Sequence, residues 1–151
     1  MAARHLGEWI ASQVFDIQLE TSAVTAAIDG RFRSGPLLGK SVNIKWYLKR
    51  EGLLDMTPAD TLDYYLVMTG PAALLSSSAG SVRPWLIDNV YLFDARQLLV
   101  QQQSRGVKVG TASSVPSRYW AAAEVFPDST SPLLRVTPKQ AAVLRLFKQL
   151  G

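Results

Sequence analysis

The chain has 151 residues, of which 48% are hydrophobic and 19% are charged, and this size and composition are typical of one folded domain. It contains no cysteine and a single histidine, His5. Disulfides, thiolate metal sites, cysteine nucleophiles and multi-histidine metal sites are therefore excluded. The 16 Lys and Arg residues outnumber the 12 Asp and Glu residues, giving a formal charge of +4. This excess favours a polyanionic partner such as nucleic acid, with an ordinary solubilising surface as the alternative.

The N-terminal segment predicts an amphipathic helix. Its apolar face repeats at intervals of three and four residues: Leu6, Trp9, Ile10, Gln13 and Val14. Glu8 lies outside this stripe. The segment lacks the apolar core of a signal peptide, and no apolar run in the sequence approaches the roughly 20 residues of a membrane span. We therefore expect a cytoplasmic protein that does not associate with membranes.

Two adjacent strands are predicted next. The segment 22–29 is rich in β-branched residues and ends at Asp29-Gly30, where glycine permits a turn. A loop is expected over 30–40, and residues 41–47 then alternate between two faces. The alternation assigns one face to Val42, Ile44 and Trp46, and the other face to Asn43, Lys45 and Tyr47.

The rest of the chain continues with mixed helices and strands. The predicted elements are a helical turn at 57–60, a strand over 63–69, a surface loop over 72–81, a strand over 85–93, a helix from Asp94 to about Gln103, short strands over 107–109, 119–126 and 133–136, and a final helix from Thr137-Pro138. No internal repeat or long linker divides the sequence. The order predicts an α/β fold with a mixed central sheet flanked by helices, in a single domain over 1–151.

One group of residues suggests chemistry. A hairpin between the two strands would bring Asp29 beside Asn43 and Lys45, because neighbouring strands lie about 5 Å apart. If Glu8 projects to the same side, the result is an oxygen-rich pocket that contains one ammonium group. Such oxygens suit a hard ion such as Mg²⁺, and a lysine can orient a water molecule or offset charge on a phosphate.

Three short segments resemble a known family: Gly7-Glu8, Ala27-Ile28-Asp29-Gly30 and Val42-Asn43-Ile44-Lys45. Together they are similar to the signature of the PD-(D/E)XK, restriction-endonuclease-like nuclease superfamily. The resemblance implies an αβββαβ core over 1–105, with extra C-terminal strands and a helix over 106–151 packed on it. Asn43 stands where the family has its second acidic residue.

The same resemblance implies Mg²⁺- or Mn²⁺-dependent hydrolysis of DNA phosphodiesters. Asp29, Glu8, Asn43 and the backbone carbonyl of Ile44 would hold the metal, and Lys45 would lie near the attacking water. The loss of one negative charge at Asn43 leaves an alternative, in which the protein is a catalytically inactive nuclease fold that serves as a nucleic-acid-binding or assembly module.

Each candidate also has a purely structural explanation. Glu8 could be a solvated helix residue, Asp29 a turn residue before glycine, and Lys45 a strand charge that discourages aggregation. The expected DNA contacts are a group of basic residues near the site: Arg31, Arg33, Lys40, Lys49 and Arg50. A domain of this size has little room for a separate recognition module, so a homodimer or a partner subunit is expected.

Overall fold

The computed structural model describes residues 3–21, 27–72 and 85–148. The helices are α1 (Ala3–Phe15), α2 (Ala95–Ser104), α3 (Ser117–Ala123) and α4 (Pro138–Arg145), and a short 3-10 helix spans Gly35–Leu37. The strands are β1 (Ile17–Leu19), β2 (Gly30–Phe32), β3 (Ser41–Tyr47), β4 (Leu53–Leu54), β5 (Tyr64–Thr69), β6 (Asn89–Asp94), β7 (Ser113–Ser114) and β8 (Glu124–Phe126). In this described part of the chain, no helix has both the length and the apolar character needed to cross a bilayer.

The central sheet has the strand order β1-β2-β3-β5-β6-β8. Strands β3 and β5 run parallel, and the other neighbours are antiparallel. The short strands β4 and β7 form a separate antiparallel pair. The predicted α/β fold with a mixed central sheet flanked by helices is therefore confirmed, whereas the specific nuclease-like core stays a prediction.

The sheet is buried on both faces. On one face, α1 and α4 pack over a cluster that includes Val42, Ile44 and Leu66. On the other face, α2 and α3 pack over a cluster that includes Tyr65 and Val67. Burial on both faces explains why β5 is an almost uninterrupted apolar run.

Strand β3 has the bounds and the alternation that the sequence predicts, but α1 is rotated from its expected face. Ile10 and Val14 are buried, whereas Trp9 is 55% exposed. The rotation brings Gly7 against the sheet, where an added Cβ would lie 3.1 Å from Cε3 of Trp46. Because glycine lets the helix approach closely at this point, the stripe that faces the core is centred on Gly7 rather than on Trp9.

The elements before β3 differ from the prediction. The chain forms β1 directly after α1, and the partner of β3 is Gly30–Phe32, which the sequence assigned to a loop. Residues 22–26 of the predicted strand lie outside the described residues, and Asp29 precedes β2. The prediction missed β2 because glycine and arginine surround its one large apolar residue, Phe32, which is 3% exposed.

The fourth predicted strand and the following helix are largely correct. The strand begins at Asn89 rather than at Trp85, and α2 starts after Asp94, whose carboxylate accepts a hydrogen bond from the backbone N–H of Gln97. No helix forms at 57–60, and a single turn lies slightly later, where the Leu62 backbone N–H donates to the Ala59 carbonyl at 3.2 Å. The predicted surface loop 72–81 lies outside the described residues after Ala72.

The C-terminal region was predicted least well. The segment 119–126 contains most of α3 followed by β8, because Trp120 packs edge-on against Tyr91 and Phe93 and thereby holds a helix over the sheet. No strand forms over 107–109 or 133–136. Strand β8 joins the central sheet beside β6, so the C-terminal region contributes a strand to the sheet and does more than pack on it.

Helix α4 begins where the sequence predicted. Thr137 and Gln140 form a reciprocal capping box at its first turn. Leu144 is fully buried, whereas Leu146, which directly follows the helix, is 80% exposed. The Gln140 side-chain amide also donates to the backbone carbonyl of Val14 at 2.9 Å, which ties α4 to α1.

Candidate functional site at the edge of strand β3

Asp29 directly precedes β2, at the end of the pairing between β2 and β3. The ladder joins Gly30 to Val42, and one residue earlier the Asp29 backbone N–H donates to the Val42 carbonyl at 2.9 Å. Beyond that bond the ladder is continued by a side chain, because the Ile44 backbone N–H donates to Oδ2 of Asp29 at 2.7 Å. The carboxylate thus stands in for a main-chain carbonyl and holds Asp29 against β3.

The backbone carbonyl of Ile44 faces the same edge. In a β-strand, the N–H and C=O groups of one residue point to the same neighbouring strand, and the next residue points its groups to the strand on the other side. The Ile44 N–H reaches Asp29, and the Tyr47 carbonyl accepts from Gly70 at the β5 side. The Ile44 carbonyl oxygen is therefore directed toward the Asp29 side of β3.

Asn43 is buried beside these groups. Its side chain is 7% exposed, and Nδ2 donates to the backbone carbonyl of Ala27 at 2.8 Å. This bond sets the orientation of the amide. The other amide atom, Oδ1, is buried and has no hydrogen-bond partner among the described residues. A buried acceptor without a partner is costly, and a water molecule or a bound cation would satisfy it.

Lys45 follows on the same face of β3. Its side chain is half-buried and forms no hydrogen bond or ion pair with any residue that the structure describes. Charged side chains this close to a core usually have a partner. The ammonium group of Lys45 is therefore available to an external anion such as a phosphate.

Glu8 belongs to helix α1, which packs against the face of the sheet opposite to Asn43 and Lys45. Helix α1 packs against the face that carries Val42, Ile44 and Trp46, and Gly7 contacts Trp46 directly. Over the described ranges, no three acidic or histidine side chains are grouped closely enough to hold a metal ion. A cation at Asp29 would therefore rely on amide and carbonyl oxygens, and a contribution from Glu8 stays a prediction.

The basic residues divide into two groups at opposite ends of β3. The first, here called the entry group, consists of Arg31, Arg33 and Lys40 beside the start of β3. Nε of Arg31 lies 3.8 Å from Oε1 of Glu20, and Nε of Arg33 lies 3.7 Å from Oδ1 of Asp16. The second, the exit group, consists of Lys49 and Arg50 beyond the end of β3. Asp29 lies between the two groups, which are separated by roughly 20 Å of strand.

Tyr47 is the next residue on the face of Lys45, and it is not a candidate base. Its hydroxyl accepts from the Asp55 backbone N–H at 2.9 Å and donates to Oδ2 of Asp55 at 3.2 Å. Burial, the main cause, raises the pKa of Tyr47 well above its ordinary value. The phenol therefore stays protonated. It also lines a cavity of about 280 Å³ together with Lys49 and Asp55.

One position at this edge of the sheet carries no signal in the sequence. Ala27 has a φ of 73°, in the left-handed region that alanine rarely adopts, and its carbonyl is the group that orients the Asn43 amide. Alanine has no turn-forming side chain, so no pattern could have identified it. No protein-family model matches this sequence, and a search of curated proteins finds no significant match. The geometry of the site therefore carries the functional argument.

Proposed function

We propose that the protein is a divalent-cation-dependent phosphodiesterase that hydrolyses DNA at the Asp29 edge of β3. Asp29, the Oδ1 atom of Asn43 and the backbone carbonyl of Ile44 would hold Mg²⁺ or Mn²⁺, and Lys45 would contact the reacting phosphate. The observation that carries the proposal is the buried Oδ1 of Asn43, which lacks a hydrogen-bond partner among the described residues. Asn43 directly precedes Ile44, whose N–H binds the Asp29 carboxylate.

The oxygen atoms at this edge fit such an ion. Carboxylate, amide and carbonyl oxygens are the ligands that Mg²⁺ prefers, and the Mg²⁺ coordination shell is usually completed by water. When bound, the ion would supply a more acidic water and would offset charge on the phosphate. Asp29 is already oriented for this task, because the Ile44 N–H fixes one of its carboxylate oxygens.

Lys45 adds the group that the oxygens cannot supply. Its ammonium lies on the face of β3 that carries Asn43, one side-chain repeat further along the strand. In the proposed reaction it donates hydrogen bonds to a non-bridging phosphate oxygen and orients the attacking water. The resemblance of Asn43-Ile44-Lys45 to the nuclease signature supports the same role.

DNA is proposed as the substrate because of the basic residues around Asp29. The entry and exit groups would contact phosphates on either side of the scissile bond, independently of sequence. The acidic partners Asp16, Glu20 and Glu51 compete for three of these cations, so DNA must displace surface ion pairs. One site cuts one strand, and cleavage of both strands would need a second copy or a partner subunit.

A second candidate has its own support. In the described residues no three acidic side chains meet, and the Asp29 carboxylate already has a structural task at Ile44. A protein that kept this fold for binding or assembly would need Asp29 and Asn43 for stability alone. This alternative is a non-catalytic module that binds nucleic acid.

Plasmid cleavage distinguishes the two candidates. We expect nicking in Mg²⁺ or Mn²⁺ that is abolished by EDTA and lost in Asp29→Ala and Lys45→Ala. The matched controls are Asp128→Ala and Lys108→Ala, which change exposed residues of the same types. Cleavage that survives both site variants would mean a contaminating nuclease. Salt-sensitive DNA binding without any cleavage would establish the non-catalytic alternative.

A further inference from the structure

We infer that Asn43 is a positioning residue whose amide locks the segment 27–29 onto β3, and that an asparagine is needed there because a carboxylate could not do so. The lock itself follows from backbone and amide geometry. Its consequence for DNA cleavage rests on the proposed function.

Three hydrogen bonds tie the segment to consecutive residues of β3. The Asp29 N–H donates to the Val42 carbonyl, Nδ2 of Asn43 donates to the Ala27 carbonyl, and the Ile44 N–H donates to the Asp29 carboxylate. The first uses only backbone atoms, and the third uses the proposed ligand. The Asn43 amide is therefore the one component of the lock that can be changed without altering the backbone or Asp29.

The lock acts on a strained turn. Ala27 has a φ of 73°, where the Cβ of alanine crowds the backbone. Such a conformation persists only when surrounding contacts hold it, and the Ala27 carbonyl accepts the Asn43 hydrogen bond at 2.8 Å. Without that bond, Ala27 would relax toward negative φ and shift Asp29, which lies two residues further along.

Only an amide meets both demands at position 43. Nδ2 is a donor for the Ala27 carbonyl, and Oδ1 is an acceptor that remains for a cation. An ionised aspartate would offer no donor and would set a negative oxygen against a carbonyl oxygen. The turn therefore requires an asparagine at position 43, and this residue is more than a neutral replacement for the acidic residue of the nuclease signature. A cation on Oδ1 would also polarise the amide and strengthen its bond to Ala27.

Asn43→Asp separates the lock from simple metal ligation, because the two roles predict opposite changes. If Asn43 were only a ligand, the added charge would tighten the binding of Mg²⁺ several-fold, measured by titration with the metal alone. If Asn43 holds the turn, the displacement of Asp29 should cancel that gain. The lost donor should speed hydrogen exchange at the backbone amides of Ile28 and Asp29 about tenfold, the equivalent of one ordinary hydrogen bond. Exchange within β5 should stay unchanged, which shows that the fold is intact.

Relief of the strain at Ala27 provides the second measurement. Glycine adopts φ near 73° without strain, so Asn43→Asp should speed exchange less in an Ala27→Gly background than in the wild type. Ala112→Gly is the matched control, because Ala112 has a φ of 53° and lies outside the site. In that background Asn43→Asp should speed exchange as it does in the wild type.

One result would overturn the lock: Asn43→Asp tightens Mg²⁺ binding and leaves exchange at Ile28 and Asp29 unchanged. Asn43 would then be only a replacement for an acid. The exchange experiment needs no turnover and no DNA. If the wild-type protein neither binds Mg²⁺ nor cuts DNA, the proposed function fails while the exchange data still decide whether Asn43 holds the turn.

Discussion

Asp29 and Ile44 are joined by a hydrogen bond of 2.7 Å in which a carboxylate takes the place of a main-chain carbonyl at the edge of β3. The bond has two consequences. It satisfies a backbone N–H that β2 would otherwise leave without an acceptor, and it fixes one oxygen of the proposed cation ligand. Stability and chemistry at Asp29 are therefore separable by choosing substitutions that keep or remove the acceptor.

The first prediction uses that separation. Asp29→Ala removes the acceptor of the Ile44 N–H, and we expect the free energy of unfolding to fall by about 1–3 kcal/mol. Asp29→Asn keeps an acceptor oxygen and should cost less than half as much, whereas both variants should lose DNA cleavage. Urea denaturation and a nicking assay measure the two effects. Equal destabilisation by both variants would show that the Ile44 bond does not hold Asp29.

Lys45→Met tests the proposed phosphate contact. Methionine keeps the apolar stem, and the Lys45 ammonium has no partner in the described structure, so the free energy of unfolding should change by no more than about 0.5 kcal/mol. We expect cleavage to fall at least about 100-fold, a typical effect for a group that acts on the reacting atoms. DNA affinity should change little. A variant that cleaves normally would remove Lys45 from the mechanism.

Gly30→Ala should displace Asp29 through the backbone. An added Cβ would lie 2.6 Å from the Gln18 carbonyl oxygen and 2.7 Å from Cγ2 of Ile17. We expect a loss of about 1–3 kcal/mol in the free energy of unfolding, together with loss of cleavage. Gly7→Ala is the comparison, because its added Cβ would lie 3.1 Å from a side-chain atom of Trp46, which can shift by a few tenths of an ångström, so we expect a smaller loss. Similar losses in both variants would contradict the close approach of β1 to Gly30.

The salt dependence of DNA binding tests the two basic groups. Each phosphate contact that is lost should reduce the slope of log K against log salt by about 0.9. Alanine substitution of all three entry-group residues should therefore reduce it by up to about 2.7 (3 × 0.9), and of both exit-group residues by up to about 1.8 (2 × 0.9). Exposed Lys108 and Arg135 serve as controls. A slope that changes for one group only would place the DNA at that end of β3.

Alkaline pH should destabilise the protein through its buried tyrosines. Burial is the main cause that raises the pKa of Tyr47, Tyr65 and Tyr91 above the ordinary 10.0. Below pH 10 both the folded and the unfolded states hold these protons, so this contribution to stability is fully present. Above it the unfolded chain releases protons that the folded state retains, and the free energy of unfolding falls by up to about 1.4 kcal/mol per pH unit for each tyrosine.

Urea denaturation between about pH 8 and about pH 11 measures that decline. Tyr47→Phe removes one titrating group, so its decline above pH 10 should be shallower than that of the wild type. The absolute stability of this variant should be lower at every pH, because the Asp55 N–H loses its acceptor. An identical slope in the two proteins would show that Tyr47 titrates normally in the folded state.

Local patterns were sufficient for several elements. The alternation from Ser41 to Tyr47 predicted β3 with its correct bounds and faces, because a strand between two layers must separate its side chains by a period of two. Asp94 and Thr137 predicted the starts of α2 and α4, because a capping side chain bonds to the backbone within its own turn. Such signals depend on a few neighbouring residues, so sequence alone reveals them.

The remaining features depend on contacts between distant segments. The rotation of α1 is set by the approach of Gly7 to Trp46. The segment around Trp120 is helical because Trp120 packs against Tyr91 and Phe93 of the sheet. At the site, sequence reasoning selected Asp29 and the residues of β3, but it paired them through the wrong strand. The left-handed turn at Ala27 and the buried oxygen of Asn43 arise only when two chain segments meet, since neither residue type prefers that environment by itself.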